Sequence, residues 1–402
     1  MNAIGIVAEY NPFHTGHAYQ IERSRAMLGE DRPVIAVMSG NWVQQADCAI
    51  ADKWTRAKLA LTGGADLVLE LPTVFAMSSA EKFAQGAVDI LHRSGVVEYI
   101  SFGSECGDAD KLSQAAAGLD SAEYLTALRA RTDSGAPFAV CRQRAAEEVL
   151  GRELGELLAT PNNNLGIEYI RALNAKKSPI IPMTVRREGA AHNSISPDRL
   201  RFLSATQIRA ELRDGRGEQA EPWLVPGALP LLEELPSLNR VERAMLLKVR
   251  TMSAQDWGKL PDSGLAEGLP QRLEKAGKQC RCMDEFFELS KTKRYTHARL
   301  RRLVLWAYLG LTEADRPQSA PYIRALGFNT RGQELLKQMK KTASLPVITK
   351  PAHAGKLDEE ARRLFELECR CTDLYDLCFE NIPIPGREWT TDVVRVGGGE
   401  NG

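Results

Sequence analysis

The fold class of this chain is decided by AIGIVAEYNPFHTGHAYQIERSRAM, residues 3–27. The opening part is apolar at consecutive positions, as in a strand covered on both faces, and the closing part has the spacing of a helix. The polar residues 11–17 between them therefore lie where a strand leads into a helix. Ligands of open α/β sheets bind at such junctions.

The same alternation continues through the first half of the chain. Helical spacing recurs at residues 54–62 and 80–92, and each helix ends at a glycine or turn before the next apolar run. This order predicts a doubly wound α/β domain with a mainly parallel sheet. The predicted strands are residues 4–8, 34–38, 67–71, 99–102 and 180–185.

The rest of the chain is helical in pattern. Residues 108–175 are rich in Ala, Leu and Arg and are predicted to form a helical insertion before the last strand. Strand signals disappear after Arg209, and prolines interrupt a helical pattern from about residue 226 onward. We therefore expect an α/β domain over residues 1–215, an all-helical domain over 220–385 and a C-terminal tail over 386–402.

The charges of the chain cancel in total. Fifty-two Lys and Arg balance 52 Asp and Glu, so attraction to nucleic acid or anionic lipid must come from local patches. No apolar run reaches the roughly 18 residues of a membrane span, and the N-terminus does not resemble a signal peptide. We expect a cytoplasmic protein without a membrane partner, whose cysteines stay reduced.

The strand-to-helix junction suits a ligand with several phosphates. The free N–H groups and the positive dipole of a helix start attract phosphate, Gly16 lets it approach the backbone, and Thr15 can cap the helix. His14 and His17 are three residues apart and can point both imidazoles at one anion. The alternative is that both histidines are surface residues at a helix start.

A second candidate phosphate segment is FLSATQIR, residues 202–209. Ser204 can cap a new helix, Thr206 can offer a hydroxyl, and Arg209 can place a cation beside a leaving pyrophosphate. By itself the string also fits a capped surface helix with an exposed arginine. Two phosphate motifs in this order favour a nucleotide site.

Six blocks occur in order along the chain: GIVAEYNPFHTGH, DKWTRAKLALTGGADLVLELP, SFGSE, PNNNLGIEYIRAL, FLSATQIR and SKTKRYTHARLRR. Together they resemble the bacterial tRNA(Met) cytidine acetate ligase family, within the H-x-G-H nucleotidyltransferase superfamily with its Rossmann-like fold. The resemblance implies that acetate and ATP form acetyl-AMP and pyrophosphate, and that acetyl passes to N4 of the wobble cytidine of elongator tRNA(Met). It implies ATP as a substrate, with Mg²⁺ as an optional companion, no tightly bound cofactor, no metal ligands and no protein partner.

The resemblance also places the ATP contacts of the family on this sequence. After the first block they fall on Gly103, on Asn162 or Asn163, and on Arg186 or Arg187. Ser204 and Thr206 are added to the candidate nucleotide contacts from the second phosphate segment itself. The first block supplies Val7, Ala8, Glu9, Tyr10, Asn11, Pro12, Phe13, His14, Thr15, Gly16, His17, Ala18, Tyr19 and Gln20.

Charge neutralisation is the main catalytic task of such a site. The attack of acetate on the α-phosphate needs no protein nucleophile, so the enzyme positions the reactants and offsets charge on pyrophosphate. We assign this task to His17 and Arg209, with His14 beside the same phosphates. Lys53 or Arg56 can add a cation nearby, or they can merely solvate a helix face.

One block departs from the family pattern V-Q-R-G-E-P-A. Residues 43–49 are VQQADCA, so an arginine and a glycine of the pattern are replaced by Gln45 and Ala46, and Asp47 and Cys48 follow. Any substrate contact that the missing arginine makes in the family is open here.

A basic run favours RNA as the second substrate. KTKRYTHARLRR, residues 291–302, contains six Lys and Arg and no acid. As a helix it would group cations along a phosphate backbone, with Tyr295 available for base stacking. The alternative is a solvated basic helix. The predicted RNA contacts are Lys291, Lys293, Arg294, Arg301 and Arg302.

Two other function classes compete with the ligase. A small-molecule adenylyltransferase, of the phosphopantetheine or nicotinate mononucleotide type, shares the H-x-G-H site but has no use for the long helical remainder. A non-catalytic RNA-binding protein leaves both phosphate motifs without a task. The C-x-C pairs at Cys280–Cys282 and Cys369–Cys371, with Cys378, do not have the usual spacing of zinc ligands and are predicted to be reduced thiols.

Overall fold

A mainly parallel sheet with helices on both faces forms the centre of the molecule. The computed structural model describes residues 2–132, 136–187, 202–292 and 295–397, except for the side chain of Ala266. The strand order is β10-β8-β5-β2-β1-β6-β7, and β9 pairs with β8. The strands are β1 (Ala3–Ala8), β2 (Val34–Ser39), β3 (Trp42–Val43), β4 (Asp47–Cys48), β5 (Leu67–Leu71), β6 (Val97–Ser104), β7 (Ile181–Arg186), β8 (Ile323–Phe328), β9 (Val347–Ile348) and β10 (Val394–Arg395).

Helices cover both faces of this sheet and extend beyond it. No helix of the described residues is long and apolar enough to cross a membrane. The helices are α1 (Thr15–Leu28), α2 (Lys53–Thr62), α3 (Thr73–Ala76), α4 (Ala80–Ser94), α5 (Ala109–Gly118), α6 (Ala122–Thr132), α7 (Phe138–Leu150), α8 (Arg152–Glu156), α9 (Pro161–Ala175), α10 (Ala205–Arg213), α11 (Gly217–Ala220), α12 (Glu242–Thr251), α13 (Ala254–Gly258), α14 (Leu269–Gln279), α15 (Met283–Ser290), α16 (His297–Leu309), α17 (Thr330–Thr342), α18 (Glu359–Asp376) and α19 (Arg387–Thr390).

The position of β1 explains where a ligand can bind. β1 runs parallel to β2 on one side and to β6 on the other, and β7 continues the parallel sheet beyond β6. Because the chain builds outward from β1 in both directions, the carboxyl ends of β1 and β6 border a crevice at the topological switch point. The polar loop after β1 lies at this edge.

The core is divided by the sheet into two apolar layers. Along β2, Val34, Ala36 and Met38 pack on the side of α1, α2 and α10, whereas Ile35 and Val37 pack on the side of α4. This alternation follows from the two-residue period of a strand. All six residues of β2 are buried, which explains why the strand appears in the sequence as one continuous apolar run.

The predicted α/β organisation is confirmed in its main features. The five predicted strands match β1, β2, β5, β6 and β7 to within two residues at each end. The predicted insertion, residues 108–175, contains α5 to α9, and α9 packs against α4 and β6. The division into three parts stays a prediction.

The prediction that strands end before Arg209 is wrong. β8 lies antiparallel to β5, with Leu67 opposite Phe328, and β9 and β10 pair with β8. Arg324 interrupts the apolar run of β8, and its charge is buried beside Glu70 and Glu388. A charged residue inside a short run hid this strand from a pattern search. The described residues between 242 and 309 form α12 to α16, in line with the predicted helical pattern, but the later part of the chain completes the sheet.

The predicted tail is also part of the fold. Residues 386–402 include α19 and β10, while residues 398–402 lie outside the described part of the chain. Glu388 of α19 is fully buried and contacts Lys53 and Arg324. This segment therefore closes the core beside α2 and β8.

Candidate functional site

The start of α1 is capped by two histidines. His14 is the N-cap residue, and its Nδ1 accepts the N–H of Gly16 at 3.0 Å. His17 completes the reciprocal pair, because its Nδ1 accepts the N–H of His14 at 3.2 Å. A neutral imidazole whose Nδ1 accepts a hydrogen bond carries its proton on Nε2. Both rings therefore keep one N–H donor for a ligand.

Both histidines are neutral donors rather than cations near pH 7. Burial lowers the pKa of His14 to about 4, with Arg187 and Arg209 adding repulsion. Burial also lowers the pKa of His17 well below its usual range, and His14 and Arg187 act in the same direction. Near pH 7 these imidazoles therefore offer hydrogen-bond donors without a positive charge, and the positive charge that acts on them comes from Arg187 and Arg209.

Gly16 is required by the histidine cap itself. A Cβ atom at Gly16 would lie 2.8 Å from Cε1 of His14, so a side chain there would displace the ring. Thr15 was predicted to cap the helix, but His14 holds that position. The Thr15 hydroxyl is buried and has no hydrogen-bond partner among the described residues. It is therefore left available to a ligand.

The second phosphate motif meets the first in space. Ser204 caps α10 and forms a capping box with Gln207, as the sequence predicted. Nη1 of Arg209 donates to the carbonyl oxygen of Asn11 at 2.7 Å, and Nη2 donates to Oγ1 of Thr206 at 3.2 Å. This contact joins α10 to the loop that carries the histidines.

A further side of the site is formed by the end of β6 and the start of α9. Oδ1 of Asn163 accepts the N–H groups of Glu105 and Cys106 at 3.0 and 3.1 Å, so this side chain holds the loop after β6. Asn162 is half-buried, and its Oδ1 faces Nη1 of Arg187 at 3.4 Å. Of the two asparagines, Asn162 is the one open toward the crevice.

The two adjacent arginines at the end of β7 point in opposite directions. Arg187 packs against Gly103, whose Cβ would lie 3.3 Å from Cγ of Arg187, and its charge acts on both histidines. Arg186 packs instead against Gly107. Side chains alternate along a strand, so only one of the pair can face the histidines. That one is Arg187.

Several residues of the first block support the loop rather than the crevice. Oε1 of Glu9 accepts the N–H of Gln44, and Oδ1 of Asn11 accepts the N–H of Ile50, both at 2.7 Å. Nε2 of Gln20 donates to the carbonyl of Ser101 at 3.3 Å. Tyr10 and Phe13 are buried and pack on each other. The remaining members, Val7, Ala8, Pro12, Ala18 and Tyr19, lie at the end of β1, in the loop and in the first turns of α1.

Lys53 and Arg56 do not solvate a helix face, and a role of either as a cation near the phosphates stays a prediction. Both are completely buried. Arg56 donates to the carbonyls of Ala51, Glu9, Ser39 and Gly40, and so ties together the loops that follow β1 and β2. The Lys53 ammonium pairs with buried carboxylates. Both cations therefore stabilise the buried structure next to the loop that follows β1.

Comparisons with known proteins agree over the whole length. A family model described as HIGH Nucleotidyl Transferase matches residues 1–386. The tRNA(Met) cytidine acetate ligase of Caldanaerobacter subterraneus subsp. tengcongensis is 38% identical over 416 residues, which cover 98% of this chain and 100% of that protein. The tRNA(Met) cytidine acetate ligase of Syntrophomonas wolfei is 34% identical over 420 residues, which cover 98% of this chain and 99% of that protein. The chain belongs to the tRNA(Met) cytidine acetate ligase family.

Solved structures of this family have the same fold. Thermotoga maritima TmcAL bound with alpha-thio ATP is 31% identical and superposes with a TM-score of 0.90, covering 99% of this chain and 100% of that one. The apo form gives a TM-score of 0.91 at 32% identity, with the same coverage. The family resemblance predicted from six sequence blocks is confirmed, and so is the predicted fold class.

The departure from the family pattern falls on a hairpin beside the site. β3 and β4 pair as a short hairpin, and Ala46 adopts φ 59° at its turn. Oε1 of Gln45 accepts from Nη2 of Arg209 at 3.4 Å. Asp47 faces Arg213 and Arg301 on its other side. Sequence analysis missed Arg213, although its position one turn after Arg209 on α10 was a usable signal.

The basic run is only in part the surface that the sequence predicted. Tyr295 is buried and donates its hydroxyl to the carbonyl of Glu267 at 3.0 Å, so the prediction of a stacking tyrosine is wrong. Lys291 is exposed, Arg301 and Arg302 are half-buried, and Lys293 and Arg294 lie outside the described residues. The tyrosine is held inward by its hydrogen bond to Glu267, a partner 28 residues away that charge counting along the sequence does not reveal.

No group of three metal-ligating side chains comes together in the part of the chain that the structure describes. The cysteines are free, and Cys280, Cys369, Cys371 and Cys378 are buried while Cys282 is half-buried. Their assignment as reduced thiols stays a prediction.

Proposed function

We propose that this chain activates acetate with ATP to give acetyl-AMP and pyrophosphate, and transfers the acetyl group to N4 of the wobble cytidine of elongator tRNA(Met), forming N4-acetylcytidine. The contact between Arg209 and the Asn11 carbonyl carries this proposal, because it brings the two phosphate motifs to one loop. Full-length relatives named tRNA(Met) cytidine acetate ligase and a family structure bound with alpha-thio ATP support it.

In this proposal ATP lies across the carboxyl ends of β1 and β6. The Nε2–H groups of His14 and His17 and the free N–H groups of α1 meet the β- and γ-phosphates. The unpartnered Thr15 hydroxyl lies at the same helix start. Arg187 and Asn162 approach from the opposite wall of the crevice.

The first half-reaction is an in-line displacement. A carboxylate oxygen of acetate attacks the α-phosphorus, the bond from that phosphorus to the bridging oxygen breaks, and pyrophosphate leaves. Arg209 and the hydrogen bonds of His17 stabilise the charge that builds on the leaving group. In the second half-reaction N4 of cytidine attacks the acetyl carbon, loses a proton and releases AMP. The base must leave its stack to reach that carbon.

Mg²⁺ remains part of the proposal as a companion of ATP. The side chains that face the phosphates are hydrogen-bond donors, and the nearby Glu9 carboxylate already accepts the N–H of Gln44. Mg²⁺ prefers oxygen ligands and keeps several waters. An ion that enters with ATP would therefore be held by phosphate oxygens and water.

For RNA recognition we retain Lys291, Arg301 and Arg302, and the prediction for Lys293 and Arg294 is unchanged. The approach of Arg301 to the hairpin beside Arg209 supports RNA rather than a small molecule as the acceptor. A small-molecule adenylyltransferase does not need a basic helix at that position.

Product analysis tests the proposed function directly. The protein is incubated with ATP, labelled acetate and unfractionated tRNA, and the tRNA is digested to nucleosides. We expect label only in N4-acetylcytidine. One AMP and one pyrophosphate should form for each N4-acetylcytidine. Absence of label from N4-acetylcytidine, or acetylation from acetyl-CoA without ATP, would contradict the proposal.

A further inference from the structure

Two arginines from distant parts of the chain meet at the hairpin of β3 and β4. Nη2 of Arg213 lies 3.5 Å from Oδ2 of Asp47, and Nη2 of Arg301 lies 4.0 Å from the same oxygen. Arg213 ends α10, and Arg301 lies in the second turn of α16. The Asp47 carboxylate therefore joins α10, which also carries Arg209, to α16.

The positive charge at this contact is in excess. One carboxylate, Asp47, faces two guanidinium groups. Arg209, one turn earlier on α10, is buried and has Glu9 as an opposing carboxylate, so the excess comes from Arg213 and Arg301. The other oxygen of Asp47 accepts the N–H of Cys48 at 2.9 Å, and both arginines lie nearest to the first oxygen. Such a surface attracts a polyanion.

The guanidinium groups of both arginines also have unused hydrogen-bond donors. Charge-assisted hydrogen bonds to a carboxylate are about 2.7–2.9 Å long, well below either separation at Asp47. Within the described ranges neither the Arg213 nor the Arg301 guanidinium makes a hydrogen bond, and 41% and 35% of these side chains are exposed. Their planar donor groups are therefore open to a ligand with paired oxygens.

We propose that Arg213 and Arg301 form a phosphate-binding fork for the backbone of the RNA substrate, and that Asp47 orients the fork until a phosphate displaces it. This inference rests on the proposed function, since it assumes that a tRNA brings its reacting base to the adenylate. Arg209 binds the loop before His14, so the fork lies one helical turn from the phosphate site. A phosphate flanking the reacting nucleotide is thus held beside the place of reaction.

The test measures binding of unfractionated tRNA over a salt series, without ATP or acetate. We expect R213Q and R301Q each to weaken binding and to reduce the slope of log affinity against log salt by about 0.7, the value for one lost single-strand phosphate contact. R281Q is the matched control, because Arg281 is an exposed arginine paired with Glu285 on the same helical part of the chain. It should bind as the wild type does.

We expect D47N to change the affinity for tRNA in the opposite direction from R213Q and R301Q, and misfolding cannot explain such a gain. Asparagine keeps the acceptor for the Cys48 N–H but removes the charge that competes with phosphate, so we expect D47N to bind tRNA more tightly. Wild-type binding by both arginine variants, or weaker binding by D47N, would overturn the inference. A raised KM for ATP with unchanged tRNA binding would also overturn it, since the fork would then serve the nucleotide.

Failure of the fork and failure of the proposed function have different signatures. A wild-type protein that binds tRNA with the predicted dependence on Arg213 and Arg301, yet forms no acetyl-AMP, would refute the function and keep the fork. Acetylation of tRNA by the wild type, together with binding that ignores both arginines, would do the reverse.

Discussion

His17 has a structural task, and we propose a chemical task for the same ring. Its Nδ1 accepts the His14 N–H, and its Nε2–H is the donor that we propose for phosphate. We expect His17→Ala to reduce acetate-dependent exchange of pyrophosphate into ATP by about 10²–10³-fold, as for loss of one preorganised donor. Stability should fall by only about 1 kcal/mol, as for loss of a cap. His353→Ala, in the short 3-10 helix that follows β9, serves as the control. Near wild-type exchange by His17→Ala would remove His17 from the mechanism.

Lys177 occupies a backbone conformation that suits glycine. It follows α9 with φ 49°, and the Ser178 N–H donates to the Leu173 carbonyl, as in a Schellman motif. We expect Lys177→Gly to raise the free energy of unfolding by about 0.5–1 kcal/mol, because an exposed left-handed residue with a side chain is strained. Ala175→Gly, two residues earlier in the helix, should lower it by about 1 kcal/mol. Urea unfolding measures both, and the same sign for the two variants would contradict this account.

At the scale of elements, α2 organises the loops through one side chain. Arg56 donates to carbonyls that follow β1 and β2, and a lysine cannot reach them all with a single ammonium. We expect Arg56→Lys to lower the free energy of unfolding by about 2–4 kcal/mol, since buried carbonyls lose their donors. Lys58→Met, on the exposed side of the same helix, should stay within about 0.5 kcal/mol. An Arg56→Lys variant as stable as the control would show that this hub is dispensable.

At the scale of the whole molecule, a buried group of charges joins the sheet to the last helices. Lys53 and Arg324 pair with Glu70 and Glu388, so these four charges balance. Glu368 of α18 is a further buried carboxyl in the same place, and its burial raises the pKa from 4.5 to about 8, with repulsion from Glu70 acting in the same direction. Near neutral pH this carboxyl is therefore protonated in the folded protein.

The consequence is a stability that depends on pH. The folded state binds one more proton than the unfolded chain between pH 4.5 and about 8, so the contribution of Glu368 to stability falls as the pH rises through that window. We expect Glu368→Gln to flatten the dependence of the unfolding free energy on pH there. Glu366→Gln, exposed on the same helix, should leave the wild-type slope unchanged. An unchanged slope in Glu368→Gln would show that the carboxyl is ionised in the fold.

Much of the candidate site could be predicted from short segments. The strand, the HTGH loop and α1 are encoded by neighbouring residues, and the FLSATQIR segment forms the predicted cap before Arg209. Such signals are local, because consecutive apolar residues, capping side chains and a required glycine act within a few positions of each other. The predicted parallel strands were found for the same reason.

The α/β class, the nucleotide loop and the family of this protein could all be inferred from the amino-acid sequence. The three-dimensional packing was needed to show that Lys53 and Arg56 are buried, that Tyr295 is turned inward, and that residues 323–328 complete the sheet. It was also needed to show that Arg213 and Arg301 meet at Asp47. A charged or aromatic side chain is buried or exposed according to partners that can lie hundreds of residues away, and no local pattern records that pairing.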